Sequence, residues 1–211
     1  MSKPLDLRIE YGKWRNWRKK LDVVLKQIPK KLPVPKPKPH PTKLHMYDNV
    51  NPGRIPKWAE AVAGYIGGKW PTYPKVVAGW PHAKHLSIAV SSIYDADCLD
   101  VEPGDAPINL APEWVKRQLR LRREGKVYNS TKPVLYTSAS WGPKLIAACT
   151  AAGLRYGIDY FWWSAHYDPK KGEHFCNPSC GFGIKVRAHA TQFTDNAEGN
   201  DESVVSHGFF L

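Results

Sequence analysis

Ala96-Asp97-Cys98-Leu99-Asp100-Val101-Glu102-Pro103-Gly104-Asp105 reads as a short buried strand that ends in acid. Successive side chains of an extended chain point to opposite faces, so Cys98, Asp100 and Glu102 share one face and Leu99 and Val101 the other. Pro103-Gly104 stops the strand. Two carboxylates at the end of an apolar strand repel each other and are costly to desolvate. Sites that need one protonated acid beside an ionised partner use that cost. Taken alone, the segment fits a solvated acidic turn equally well. The nearby Asp95, Asp97 and Asp105 are read as solvated loop acids.

Working outward from this strand, short strands and helices alternate. Residues 44–47 form a first strand ending at Asp48, and residues 56–63 have helical character. Residues 63–66 make a second strand running into Gly67-Gly68, residues 85–90 a third, and the acidic strand is the fourth. Ala111-Pro112-Glu113 opens a helix carrying Trp114, Val115, Leu119 and Leu121, with Gly125 as its stop. Residues 133–137 are a fifth strand, 143–152 a helix closed by Gly153, and 160–164 a sixth strand; 188–193 and 203–209 complete the set of eight. The pattern predicts an α/β fold with a mostly parallel sheet. The 168 residues after position 43 fall short of the roughly 250 of a full (β/α)8 barrel. A small TIM-like (β/α)-barrel over residues 44–211, with some helices replaced by loops, is therefore expected.

The formal charge of +12 suggests a nucleic-acid partner until it is located. Residues 1–43 hold 13 of the 31 Lys and Arg against 3 acids, which leaves 18 basic and 16 acidic groups for the rest. The basicity belongs to an N-terminal arm. Within it, Trp14, Trp17, Leu21, Val24 and Ile28 recur at three- and four-residue steps, an apolar stripe on a basic helix over residues 12–28 that Pro29 ends. Such a helix suits an anionic wall or membrane surface, a virion protein or sister subunit, or docking on its own domain. Residues 29–43 carry proline at nearly every second position and read as a semi-rigid spacer. The domain plan is thus arm 1–28, linker 29–43 and barrel 44–211. Nucleic acid ranks last among the partners, because Trp14 and Trp17 are explained by the helix stripe.

No apolar run approaches the roughly 20 residues of a membrane span, and no secretory signal is recognised. Cys176-Asn177-Pro178-Ser179-Cys180 is a C-x3-C loop that suits a local disulfide or two free thiols, or, with His174, a metal. The spacing matches no common zinc pattern, and staple or free thiols are the expectation. His82 and His85 lack a third ligand at suitable spacing, so no catalytic metal is expected.

In a barrel of this kind the chemistry sits at the C-terminal strand ends. Those ends are Asp48, Tyr65, Asp100 with Glu102, Tyr136, and Trp163 with His166 and Tyr167. Gln192 and Asp195 follow the seventh strand, and Asp201 precedes the eighth. Carboxylates and aromatics on one rim suit a carbohydrate: aromatic faces stack on sugar rings, and carboxylates supply acid catalysis and hydrogen bonds.

Asp48, Leu99-Asp100-Val101-Glu102, Val134-Leu135-Tyr136-Thr137-Ser138, Trp162-Trp163-Ser164-Ala165-His166-Tyr167, Thr191-Gln192-Phe193 and Asn200-Asp201 follow one another in a telling order and spacing. The ordered set resembles glycoside hydrolase family 25, the lysozyme-like muramidases of phages and bacteria. Two positions depart from that pattern: Tyr47-Asp48-Asn49-Val50 stands for Asp-Val-Ser, and Thr191 for a Trp. The resemblance implies a peptidoglycan hydrolase of endolysin or virion-associated type, needing no cofactor and acting on glycan strands from a phage virion or the host cytoplasm. It makes Glu102 the general acid, with Asp100 supplying part of the push on its pKa and orienting the substrate's acetamido group. Asp48 and Asp201 would hydrogen-bond within the cluster. Tyr65, Tyr136, Trp163, His166, Tyr167, Gln192 and Asp195 would contact substrate. The rival reading is a non-catalytic virion or glycan-binding protein that keeps the fold and attaches through its arm.

Overall fold

The structure, a computed structural model, describes residues 43–195 and 199–211. The helix expected over residues 12–28 and the spacer residues 29–42 lie outside the described residues. Eight strands close into a barrel in sequence order: β1 (Lys43–Asp48), β2 (Ala61–Tyr65), β3 (Lys84–Ala89), β4 (Cys98–Asp100), β5 (Val134–Ser138), β6 (Phe161–Ala165), β7 (Ala190–Asp195) and β8 (Asp201–Ser206). Strands β1 to β7 pair in parallel. β8 runs antiparallel to both β7 and β1.

Strand alternation sorts the apolar side chains into two layers. Cys98 joins Met46, Leu86, Val134 and Trp163 in one cluster, the barrel interior. Leu99 and Val101 face the other way, against Trp114, Val115, Leu135, Leu145 and Trp162. Leu99 and Leu135 have no solvent exposure, and burying each contributes about 1.5–3 kcal/mol.

Three α-helices cover the described part of the barrel: α1 (Tyr73–Gly79), α2 (Ala111–Arg123) and α3 (Gly142–Ala151). Each has a proline in its first turn, where no N–H is missed. α2 buries Ala111, Trp114, Val115 and Gln118, one face at helical spacing. Arg120, Arg122 and Arg123 sit in its last turn, where cations complement the helix dipole. At the start of α3 only glycine fits: a Cβ on Gly142 would lie 2.3 Å from the Trp162 ring. The connections β1–β2, β3–β4 and β6–β7 contain no α-helix, as the short chain required.

The expected helix over residues 56–63 is not formed. Ala61 and Ala63 favour helix locally, but they fill the narrow barrel interior from β2, and packing overrides propensity. The last two strands are β7 and β8, offset from the expected spans. Phe209 lies beyond β8 and plugs the interior cluster.

Asp97 is not a solvated loop acid. It is 1% exposed, and its carboxylate accepts hydrogen bonds from the Ser87 N–H and hydroxyl (3.1 and 2.7 Å), the Asn129 and Ser130 N–H groups (2.7 and 2.9 Å) and the Ser130 hydroxyl (3.1 Å). It ties β3 to the approach of β5. Asp95 is half-buried and pairs with Arg117 at 3.0 Å and Lys126 at 2.9 Å.

Removing the Asp97 carboxylate strands several buried donors, each at a cost of about 1–3 kcal/mol. Asp97→Ala should therefore lower unfolding free energy by about 4 kcal/mol in chemical denaturation, while Asp95→Ala, at a solvated pair, should cost under about 1 kcal/mol. Equal small losses would show that Asp97 is not a clamp.

Candidate active site

The reversal of β8 sets the site. Because β8 is antiparallel, its first residue lies at the rim where β1 and β7 end, and Asp201 registers with Asp48 on one side and Asp195 on the other. Across the barrel, β4 delivers Asp100, which registers with Tyr136 of β5, and Tyr136 with Trp163 of β6. Glu102 follows two residues after Asp100, on the same face.

Asp48, Tyr65, Asp100, Glu102, Tyr136, Trp163, Tyr167, Gln192 and Asp201 line one pocket of about 250 Å³. A broader cleft of about 760 Å³ opens beside it and shares Tyr65, Asp100 and Glu102. The pocket floor is hydrogen-bonded. The Tyr136 hydroxyl donates to Gln192 Oε1 at 2.6 Å, Gln192 Nε2 donates to the Tyr167 hydroxyl, and the Trp163 indole donates to the Ser203 hydroxyl at 3.0 Å. Trp163 is 2% exposed, so it is floor and not a stacking face. Tyr167, 51% exposed, offers a ring to the cleft.

One expected contact falls elsewhere. Asp195 closes β7 in register with Asp201, and its side chain lies outside what the structure describes. His166 is absent from the lining: its ring faces His174, with Nδ1 to Nε2 at 2.9 Å, and the edge of Phe182. The chain turns away from the barrel axis after β6, carrying His166 outward and leaving Tyr167 to face the pocket. Sequence reading also missed cleft residues. Trp70, 48% exposed, and Lys69 follow the Gly67-Gly68 turn at the end of β2, and Val50 and Leu110 complete that wall. The strand-end rule extended through the β2 loop would have found Trp70. Asp105 is an exposed loop acid, as read from the sequence, and it also lines the cleft.

Burial dominates the electrostatics. Asp100, 6% exposed, has its pKa pushed up to about 8 by desolvation and then by the charges of Glu102 and Asp105. Asp48 is raised well above the carboxylate range by burial, then by Asp201 and Asp100. Glu102, half-buried at the mouth, is raised by desolvation, then by Asp105 and Asp201. The sequence reading had Asp100 pushing on Glu102. In the structure Glu102 pushes on Asp100, the more deeply buried of the two, and Asp105 and Asp201 act on Glu102. One oxygen of Asp100, Oδ1, is buried and has no hydrogen-bond partner among the described residues, so nothing there offsets the desolvation of its charge. The arrangement can hold a proton at Asp100 and present a second, more accessible acid at Glu102.

A group whose folded pKa is about 8, against about 4 in an unfolded chain, makes the folded state bind more protons across that window. Stability is then full below about pH 4 and declines as pH rises to about 8. The thermal midpoint should fall over that range, and Asp100→Asn should flatten the fall; an unchanged slope in the variant would refute the raised pKa.

The sequence matches no protein-family model, and no curated protein matches it. Among solved structures, the fold is similar to that of a family GH25 lysozyme from Aspergillus fumigatus, with a TM-score of 0.50 and 14% identity over 79% of this chain and 95% of that one. At this identity the likeness is one of fold: the chain is a closed α/β barrel of the kind that lysozyme has.

Proposed function

We propose that this chain is a muramidase that cleaves glycosidic bonds in the glycan strands of peptidoglycan. The observation that carries the reading is the placement of Asp100 and Glu102 on one face at the end of β4, with Asp48 and Asp201 opposite, in a cleft edged by Trp70 and Tyr167. Two acids in unequal environments at a sugar-sized groove are the parts that glycoside hydrolysis needs. The ordered motif set and the lysozyme-like fold support the same assignment.

In this reading Glu102 protonates the departing glycosidic oxygen. Its half-buried site and the charges of Asp105 and Asp201 raise its pKa, which favours the protonated form that this step needs. Asp100, which lines the pocket, orients the substrate's acetamido group. The Tyr136–Gln192–Tyr167 chain sets the depth to which a sugar ring enters, and Trp70 and Tyr167 stack on neighbouring rings. The basic residues of positions 1–43 hold the enzyme near anionic wall polymers, and a phage particle is the setting that the sequence resemblance implies.

The test is release of soluble fragments from purified, dye-labelled peptidoglycan. Wild type should release them, Glu102→Gln should lose about 10³-fold or more, and Asp100→Asn about 10²-fold, with circular dichroism unchanged. Trp70→Ala should raise KM several-fold with little change in kcat. Binding to the walls without cleavage by wild type would overturn the enzymatic reading in favour of a glycan-binding protein.

A further inference from the structure

The β6–β7 connection, residues 166–189, takes the place of a helix yet buries few apolar side chains against the barrel: Cys176, Ile184 and Ala188. What else holds it is visible in four side chains. His166 Nδ1 lies 2.9 Å from His174 Nε2 and 3.7 Å from Cys176 Sγ. Ligand atoms of His166, Cys176 and Cys180 all lie within 4.8 Å of one another. Metal–nitrogen bonds of about 2.0 Å and metal–sulfur bonds of about 2.3 Å in a tetrahedron give ligand–ligand edges of roughly 3.3–3.8 Å, so the three atoms are near enough to share one ion after small side-chain shifts, and His174 Nε2, against His166 Nδ1, offers a fourth donor beside them.

The surroundings prepare the donors. His174 Nδ1 is 2.7 Å from the Gly172 carbonyl. That bond puts the ring proton on Nδ1 and leaves a lone pair on Nε2, the tautomer a metal-ligating histidine needs. Cys176 is fully buried and anchored through backbone bonds: its N–H donates to the Thr191 hydroxyl at 2.8 Å, and its carbonyl accepts from Ala188 at 2.7 Å. Cys180 ends the 3-10 turn Pro178–Cys180, whose N-cap Asn177 accepts from the Ser179 N–H at 2.8 Å. The Lys171 ammonium stands 3.3 Å from Cys180 Sγ. All four cysteines are free thiols in the structure.

We propose that His166, His174, Cys176 and Cys180 form a structural zinc site that fastens the β6–β7 loop. Two imidazole nitrogens and two thiolates are the donor set of a closed tetrahedral zinc centre, with no open position for substrate. Sequence reading offered a metal on Cys176, Cys180 and His174 but expected a staple or free thiols; the fourth donor, His166, comes from the end of β6, outside that loop motif. Binding consists of loss of the thiol protons and formation of four bonds, with no redox change. Tyr167 directly follows His166, so the metal also fixes the side of the cleft that Tyr167 and Gln192 form. The site stands independently of the glycosidase reading.

The full-length protein, purified without chelator under mild reductant, should carry one zinc per chain by plasma mass spectrometry. Cobalt exchanged into it should give the visible bands of a tetrahedral site with thiolate charge transfer. A strong chelator should lower the thermal midpoint of wild type by several degrees, and added zinc should restore it. His174→Ala and Cys180→Ser, both at partly exposed positions, should weaken zinc binding more than about 100-fold and make the midpoint insensitive to chelator. A chain that contains no zinc and takes up none overturns the proposal, as does a Cys176–Cys180 disulfide in protein purified with or without reductant.

Discussion

The antiparallel pairing of β8 between β1 and β7 is the constraint on which the rest depends. It closes the barrel, which removes both sheet edges. It also reverses one strand, so that Asp201 begins where its neighbours end and meets Asp48 in register. A β8 parallel to its neighbours would carry Asp201 to the opposite rim and leave the acidic pocket with one wall missing.

Concentrating Asp48, Asp100, Glu102 and Asp201 in one pocket opposes folding. The raised pKa values of Asp48, Asp100 and Glu102 record that cost, since a carboxyl that holds its proton in the folded state is one whose charged form the fold disfavours. The opposing stabilisation lies in the two apolar layers and in clamps such as Asp97, a carboxylate surrounded by donors. Asp97 and Asp100 sit three residues apart on one strand segment and have opposite fates. One is supplied with backbone and hydroxyl donors; the other has acids for neighbours and an oxygen with no partner among the described residues.

Replacing helices by loops changes what must hold the outer layer. The helical stretches bury wide apolar faces, as α2 does with Trp114 and Val115. The β6–β7 loop has no such face, and its polar and sulfur donors converge instead. A short barrel thus reaches closure with fewer helices and different fastenings on its outer side.

Much of the barrel was legible in sequence. Eight strand segments, the helix over α2 and the rim position of the acidic pair follow from local patterns: period-two alternation, proline at a helix start, and carboxylates placed where a strand stops. Residues 56–63 misled because alanine favours helix locally, and only the narrow barrel interior makes Ala61 and Ala63 strand residues. Likewise, Asp97 and Asp105 look alike in sequence, as short acids beside turns. Asp97 is buried by partners from segments about 10 and 33 residues away, whereas Asp105 stays exposed at the cleft and acts on Asp100 and Glu102 through its charge. Sequence by itself determined which residues alternate, where strands stop and which side chains can carry chemistry, because those properties reside in the local chain. Tertiary structure alone decided the direction of β8, which acids are desolvated, and that His166 turns from the cleft toward Cys176, because each depends on contacts between distant segments.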